Sequence, residues 1–90
     1  MFIKGNLREY TRTPFVKTLR YSVSMKKLND TAVSVDISTG GLGMIAGYPI
    51  EPGHVLIFED EITNIKTKSA VVKWIRKINN GEYRIGLNFL

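Results

Sequence analysis

The stretch VVKWIRKINNGEYRIGLNF, residues 71–89, decides the fold class of this chain. Asn79-Asn80-Gly81 is a strong hairpin signal, because Asn and Gly tolerate the left-handed backbone that tight β-turns need. After that turn, apolar and polar residues alternate, which is typical of a strand with one face toward a core. The apolar set is Tyr83, Ile85, Leu87 and Phe89, and the polar set is Glu82, Arg84 and Asn88.

The rest of the chain carries further short strand patterns and no long stretch of helical spacing. A turn is predicted at Asn29-Asp30, and residues 42–46, 54–58 and 66–78 are predicted as strands. Six short strands joined by turns predict an all-β protein, either a small barrel or a sandwich. Two of these six strands are predicted from alternation, one with Phe15, Leu19, Tyr21 and Val23 facing inward and the next with Val33, Val35 and Ile37 facing inward.

Size and composition exclude several classes of protein. Ninety residues predict one domain, and 43% hydrophobic with 23% charged residues is ordinary globular composition. The absence of cysteine and the presence of one histidine, His54, argue against disulfides and a zinc site, so no metal and no cofactor is expected. No apolar run approaches the roughly 18–20 residues that span a bilayer, and the start does not resemble a signal peptide. A cytoplasmic location is the expectation.

The net charge of +5 is distributed unevenly along the chain. Residues 1–27 hold seven Lys/Arg and one Glu, residues 28–65 hold six acids and no Lys or Arg, and residues 66–90 hold six bases and one Glu. If the two basic ends meet in the fold, they form a positive face suited to an anion. A surface with scattered solvated charges is the alternative.

The first 14 residues fit no strand well and are predicted to form a flexible, extended N-terminal arm, with residues 15–90 forming the barrel or sandwich. Pro14 supports this, because it biases Thr13 away from the helical region. Arg8 and Arg12 lie in the arm at a spacing that points both to one side of an extended chain. Guanidinium groups bind phosphate through paired, charge-assisted hydrogen bonds and stack on flat rings. Taken alone, two such arginines are more often solvated surface residues.

A second cluster is Asp36-Ile37-Ser38-Thr39-Gly40-Gly41. Ile37 is expected to face inward with Val33 and Val35, so Asp36 and Ser38 should share the outward face. A carboxylate there can accept two N–H donors at once, as from the Watson–Crick edge of a guanine. A strand that ends in a Ser/Gly turn is the structural alternative.

Together the two clusters resemble the PilZ domain family, bacterial receptors for cyclic di-GMP. The family pattern is R-x-x-x-R in an N-terminal arm followed by D/N-x-S-x-x-G at a strand end. Arg8 and Arg12 match the first motif, and Asp36, Ser38 and Gly41 match the second. The likeness continues through residues 71–74 and 83–89. One departure is that the chain stops at Leu90, where many relatives continue into a C-terminal helix.

The resemblance implies a six-stranded antiparallel β-barrel that binds cyclic di-GMP and is not an enzyme. It implies that Arg8 and Arg12 hold phosphates and guanine rings, that Asp36 reads a guanine edge, that Ser38 assists and that Gly41 makes room. The arm would become ordered over the ligand on the barrel face, and a downstream protein partner would detect the change. Second-messenger signalling in motility or biofilm formation is the implied process.

Two other functions remain as alternatives. A basic β-barrel could bind single-stranded nucleic acid, but Tyr21, Trp74, Tyr83 and Phe89 are expected to face inward rather than form a stacking surface. A PilZ-like module could instead bind only a protein, although the intact motifs argue against it. Trp74 is expected in the core. Lys73, Arg76, Arg84 and His54 are expected to be ordinary exposed side chains, and no catalytic pair is indicated.

Overall fold

The computed structural model describes residues 12–26, 28–59, 62 and 68–90. Within these residues the chain forms strands and no helix, and therefore no helix that could cross a membrane. The strands are β1 (Thr13–Pro14), β2 (Thr18–Val23), β3 (Leu28–Ile37), β4 (Gly41–Ala46), β5 (Val55–Phe58), β6 (Ser69–Asn79) and β7 (Glu82–Phe89).

Six of the strands close into an antiparallel barrel in the order β3-β2-β5-β6-β7-β4, with β4 pairing back onto β3. Closure gives each of these strands two neighbours, which removes the free edges that a small β protein must otherwise protect. The barrel prediction is therefore confirmed, and the sandwich alternative is wrong. The short β1 is an extra strand that adds to β3, where Thr13 lies opposite Ile37.

The barrel interior is filled by apolar side chains that alternate along the strands. Tyr21 and Phe58 meet edge to face with ring centroids 6.5 Å apart. Burial, followed by the nearby carboxylate of Asp30, raises the pKa of the Tyr21 phenol above its ordinary value. Burying each large aliphatic side chain contributes about 1.5–3 kcal/mol. The buried apolar residues are Leu19, Tyr21, Val23, Ala32, Leu42, Met44, Ala46, Ile50, Leu56, Phe58, Ile62, Ala70, Val72, Ile85 and Leu87.

The turn between β2 and β3 lies earlier than the sequence suggested. Asn29 and Asp30 are inside β3, and Asp30 lies opposite Tyr21. The chain instead turns around Met25, which has a φ of 69° and is fully exposed. Leu28 packs against the core opposite Val23, so strand pairing extends past the Asn-Asp signal.

The inward face of β3 also differs from the prediction. Ala32 and Ser34 are buried, whereas Val33 is 44% exposed. A bulge then places Ser34 opposite Met44 and Asp36 opposite Gly43, so that Val35 is the extra residue. A bulge changes which face the following residues occupy. Ile37 consequently packs against the core, and Asp36 lies on the outer face.

Another bulge, in β6, places Trp74 on the outer face, whereas the sequence predicts it in the core. Val72 is opposite Leu87 but Trp74 is opposite Gly86, so Lys73 is the extra residue. Val72 is buried and Ile75 packs against the core, while Trp74 is 39% exposed. The expectation that Trp74 belongs to the core is wrong, because the alternation it assumed is interrupted at Lys73.

Ser34 ties the segment before β2 to the barrel. Its hydroxyl donates to the Phe15 carbonyl at 2.7 Å and accepts from the Lys17 N–H at 2.8 Å. Backbone bonds from Ser34 N–H to the Lys17 carbonyl and from Phe15 N–H to the Val35 carbonyl, both 2.9 Å, support the same contact. These bonds set where residues 12–14 run along β3.

Candidate functional site

A cleft of about 770 Å³ lies where the β3–β4 turn meets the outer faces of β6 and β7. Its volume is within the range of about 300–1,000 Å³ typical of small-molecule sites. The lining comes from both predicted motifs and from the final hairpin. It consists of Arg12, Asp36, Ser38, Thr39, Gly40, Gly41, Gly43, Lys73, Trp74, Arg84, Asn88 and Phe89.

Asp36 is held between two guanidinium groups. Arg12 Nη1 donates to Asp36 Oδ1 at 2.7 Å, and Arg84 Nη2 lies 3.5 Å from Asp36 Oδ2. All three side chains are about a quarter exposed, at 29%, 23% and 27% for Arg12, Asp36 and Arg84. The structure thus brings one arginine of the first motif onto the carboxylate of the second. Arg8, the other arginine of that motif, lies outside the described residues.

Ser38 shapes the turn between β3 and β4. Its hydroxyl oxygen accepts from the Gly40 and Gly41 N–H groups, both at 3.2 Å, and its own N–H donates to the Gly41 carbonyl at 2.9 Å. A serine hydroxyl has two acceptor lone pairs and one O–H donor. The turn occupies the acceptors, so the O–H is the group with which Ser38 could assist a ligand.

Gly41 is required by strand packing. A Cβ at this position would collide with the carbonyl oxygen of Leu87, a backbone atom that cannot swing away. Glycine therefore allows β4 to approach β7 at the start of their ladder, where Gly41 lies opposite Asn88. The sequence resemblance implies a different role for Gly41, which is to make room for a ligand. That role stays a prediction.

The cleft contains functional candidates that sequence reasoning placed elsewhere. Arg84 was expected to be solvated, but it is half-buried, contacts Asp36 and has a buried Nε without a hydrogen-bond partner among the described residues. Lys73 is exposed as expected, yet it lines the cleft together with Trp74. The Asn79-Asn80-Gly81 hairpin could have indicated that residues 73–76 and 84–88 lie side by side. The bulge that turns Trp74 outward has no signal in the sequence.

The described lining is positively charged. Arg12, Lys73 and Arg84 oppose the single carboxylate of Asp36, which leaves an excess of two positive charges. Grouped cations beside a partly desolvated cleft attract anions more strongly than the same charges scattered in solvent. The arrangement suits a ligand with two negative charges and a flat ring that can lie on Trp74.

Solved structures that resemble this chain include a motility inhibitor and a complex with cyclic di-GMP. A structure of the Bacillus subtilis inhibitor of motility (MotI/DgrA) is 27% identical with a TM-score of 0.61, over 92% of this chain and 42% of that one. A complex of K. pneumonia MrkH with cyclic di-GMP is 20% identical with a TM-score of 0.58, over 93% of this chain and 44% of that one. No family model and no curated protein matches the chain.

The fold is PilZ-like, as the sequence resemblance implied. This chain spans less than half the length of either solved structure.

Proposed function

We propose that this domain is a non-enzymatic receptor for cyclic di-GMP that acts in bacterial second-messenger signalling. The observation that carries the proposal is the 2.7 Å ion pair between Arg12 and Asp36 in the positively charged cleft. It joins the R-x-x-x-R and D-x-S-x-x-G motifs, which lie 24 positions apart at these two residues. Neither motif by itself is specific for a cyclic di-GMP receptor. The contact between a residue of each motif in one cleft is a more specific indication.

The chemistry of the cleft is complementary to a cyclic guanine dinucleotide. Guanidinium groups bind phosphate oxygens through charge-assisted hydrogen bonds, and Arg12 and Arg84 both face this space. A carboxylate such as Asp36 can accept the N–H donors of a guanine edge. Four to six such contacts, each about 1.5–3 kcal/mol gross, less the cost of ordering the arm, are compatible with binding near −8 kcal/mol, which is micromolar.

Binding would replace the ion pairs within the cleft with ion pairs and hydrogen bonds to the ligand. Asp36 is already paired with Arg12 and Arg84, so these groups are partly desolvated before the ligand arrives. The ligand's phosphates would bind Arg12 and Arg84 in place of Asp36. Its guanine edge would donate hydrogen bonds to Asp36 in place of the two arginines. Exchange of this kind avoids leaving a partly desolvated charge unpaired, which is unfavourable.

The solved structures support the same function. The MrkH structure is a complex with cyclic di-GMP, and MotI/DgrA is an inhibitor of motility. By analogy we propose that the part of the arm before Arg12 becomes ordered over the ligand, since Thr13 and Pro14 are already attached to β3, and that a downstream protein detects the change. Control of motility or biofilm formation and a cytoplasmic location belong to the same proposal.

Single-stranded nucleic acid is the competing ligand. The outward position of Trp74 removes one of the sequence arguments against it, since an exposed aromatic can stack on any base. Among the described aromatic residues, however, Tyr48 is the other strongly exposed one, and it follows the end of β4 away from the cleft. The described surface therefore shows no row of aromatics along which a strand could run.

Isothermal titration calorimetry with cyclic di-GMP tests the proposal, with GTP and a short single-stranded oligonucleotide as comparison ligands. We expect micromolar binding of the cyclic dinucleotide alone, and a strong loss in Asp36→Asn. Glu59→Gln is the matched control, because Glu59 pairs with Arg20 at the exposed surface. Salt-sensitive binding to the oligonucleotide alone would support the nucleic-acid barrel. No binding to any of the three would support a module that binds only protein.

A further inference from the structure

Two glycines lie opposite each other beneath the cleft. Gly43 of β4 pairs with Gly86 of β7 in the antiparallel ladder between these strands. Their chain neighbours Leu42, Met44, Ile85 and Leu87 are all buried, so positions 43 and 86 belong to the outer face. We call the pair Gly43 and Gly86 the glycine floor.

The space above Gly43 is occupied by Asp36. A Cβ at position 43 would lie 2.6 Å from Asp36 Oδ1 and 3.6 Å from Arg84 Nη2. The first distance is shorter than the 3.0 Å that real Cβ contacts reach. The carboxylate therefore lies directly on the β4 backbone, and a side chain at position 43 would displace it.

The space above Gly86 is occupied by Trp74. A Cβ at position 86 would lie 2.8 Å from Cζ2 of the indole and closer still to Cε2 and Nε1. Trp74 is opposite Gly86 in the β6–β7 ladder, so the indole extends across β7 at that point. A side chain at position 86 would lift the ring off the strand.

Neither glycine is needed for its backbone conformation. The glycines with positive φ among the described residues are Gly53 and Gly81. The atoms nearest to an alanine Cβ at 43 or 86 thus belong to side chains, which can move, whereas the atom nearest to an alanine Cβ at 41 is a backbone carbonyl oxygen. The glycine floor therefore constrains the cleft and not the barrel.

We propose that the glycine floor is a positioning element, which sets Asp36 and Trp74 side by side for recognition of one base. Adjacent strands lie about 4.7–4.9 Å apart, so the carboxylate over β4 and the indole over β7 are neighbours across one strand spacing. One group can then accept hydrogen bonds from a purine edge while the other stacks on its ring. This inference rests on the proposed function for the identity of the ligand, but the placement of the two groups does not depend on it.

The test compares Gly43→Ala and Gly86→Ala with Gly47→Ala. Gly47 is the matched control, because a Cβ there has its nearest neighbour at 3.7 Å. Trp74 is the sole tryptophan of the sequence, so its fluorescence without ligand reports the indole directly. We expect a red shift and greater quenching by acrylamide in Gly86→Ala, with no change in Gly47→Ala. The carboxyl ¹³C chemical shift of Asp36 should change in Gly43→Ala.

Affinity for cyclic di-GMP should fall at least tenfold in Gly43→Ala and Gly86→Ala and stay within twofold in Gly47→Ala. Unchanged fluorescence in Gly86→Ala, or unchanged affinity in both floor variants, would overturn the positioning role. If the wild-type protein does not bind cyclic di-GMP, the proposed function fails, and the two ligand-free measurements still decide whether the floor positions Asp36 and Trp74.

A double variant tests whether any loss of stability in Gly86→Ala comes from contact with the indole of Trp74. If the added methyl group acts by colliding with the indole, the double variant Gly86→Ala/Trp74→Ala should be no less stable than Trp74→Ala alone. A Gly86→Ala penalty of equal size with and without the indole would contradict the contact.

Discussion

Arg12 and Asp36 are 24 positions apart in the sequence, yet Nη1 of one lies 2.7 Å from Oδ1 of the other. The contact forms because Thr13 and Pro14 add to the edge of β3 opposite Ile37 and Asp36. Arg12, the residue before Thr13, is thereby brought close to the carboxylate of Asp36. One arginine of the first motif thus contacts the carboxylate of the second in the same cleft.

Arg12→Ala should weaken cyclic di-GMP binding by roughly 2–4 kcal/mol without unfolding the barrel, because it removes charge-assisted contacts and leaves Asp36 with one partner. Calorimetry measures the affinity, and a thermal melt checks the fold. Arg20→Ala is the control, since Arg20 pairs with Glu59 at the exposed surface. Equal affinity of Arg12→Ala and the wild-type protein would remove Arg12 from the site.

Arg84→Ala should also weaken binding, by a smaller amount of about 1–2 kcal/mol, because Arg84 lines the cleft but its contact to Asp36 is longer than that of Arg12. Arg76→Ala is the matched control, as Arg76 lies directly opposite Arg84 but is exposed and outside the cleft. Titrations of both variants at two salt concentrations measure the effect. A comparable loss in both variants would indicate general electrostatics instead of a specific contact.

The amides of residues 2–11 should exchange hydrogen more slowly once cyclic di-GMP is bound, whereas the barrel amides should change little. The reason is that the ligand would hold the arm against the cleft through its arginines. Hydrogen exchange followed by mass spectrometry measures this. Arm amides that are already protected in the free protein would contradict the proposed ordering.

Ser34→Ala should lower the free energy of unfolding by about 1–3 kcal/mol, because it leaves the Lys17 N–H and the Phe15 carbonyl without their buried partner. Denaturant unfolding measures the loss. The exposed neighbour Thr31 provides the control, since Thr31→Ala should stay within about 0.5 kcal/mol of wild type. A Ser34→Ala protein as stable as the control would show that the hydroxyl adds nothing to the attachment of residues 15–17.

The stability of the protein should fall at alkaline pH, in part through Tyr21. Its pKa is raised in the folded protein by burial and by Asp30, so above the ordinary tyrosine pKa of about 10 the unfolded chain loses a proton that the folded state keeps. This contribution is fully present below pH 10 and is lost as the pH rises further. Denaturant unfolding between pH 8 and about pH 11 should show a shallower fall in Tyr21→Phe. Parallel curves for the two proteins would contradict it.

Local patterns predicted most of the strands correctly. The Asn79-Asn80-Gly81 turn and the alternation after it place β7 at residues 82–89, where the structure has it. Leu19, Tyr21 and Val23 are buried as alternation predicted. Such features depend on turn chemistry and on a two-residue period, which neighbouring residues determine by themselves.

The bulges at Val35 and Lys73 could not be predicted in this way. Alternation assumes an unbroken ladder, but Val35 and Lys73 are each an extra residue opposite a partner strand. Alternation therefore predicts Val33 and Trp74 in the core, whereas both are exposed. Whether a strand takes a bulge depends on its neighbour's register and on barrel closure, which no local window contains.

The sequence by itself determined an all-β chain with two basic ends and two motifs that together resemble PilZ domains. Tertiary structure alone decided that β1 carries Arg12 to Asp36, and that Arg84 joins them from the last strand. It also decided that a bulge turns Trp74 outward, and that Asp36 and Trp74 lie above a pair of glycines. The physical reason is that strand order and register join residues far apart in the chain, whereas turn propensity and alternation act between neighbours.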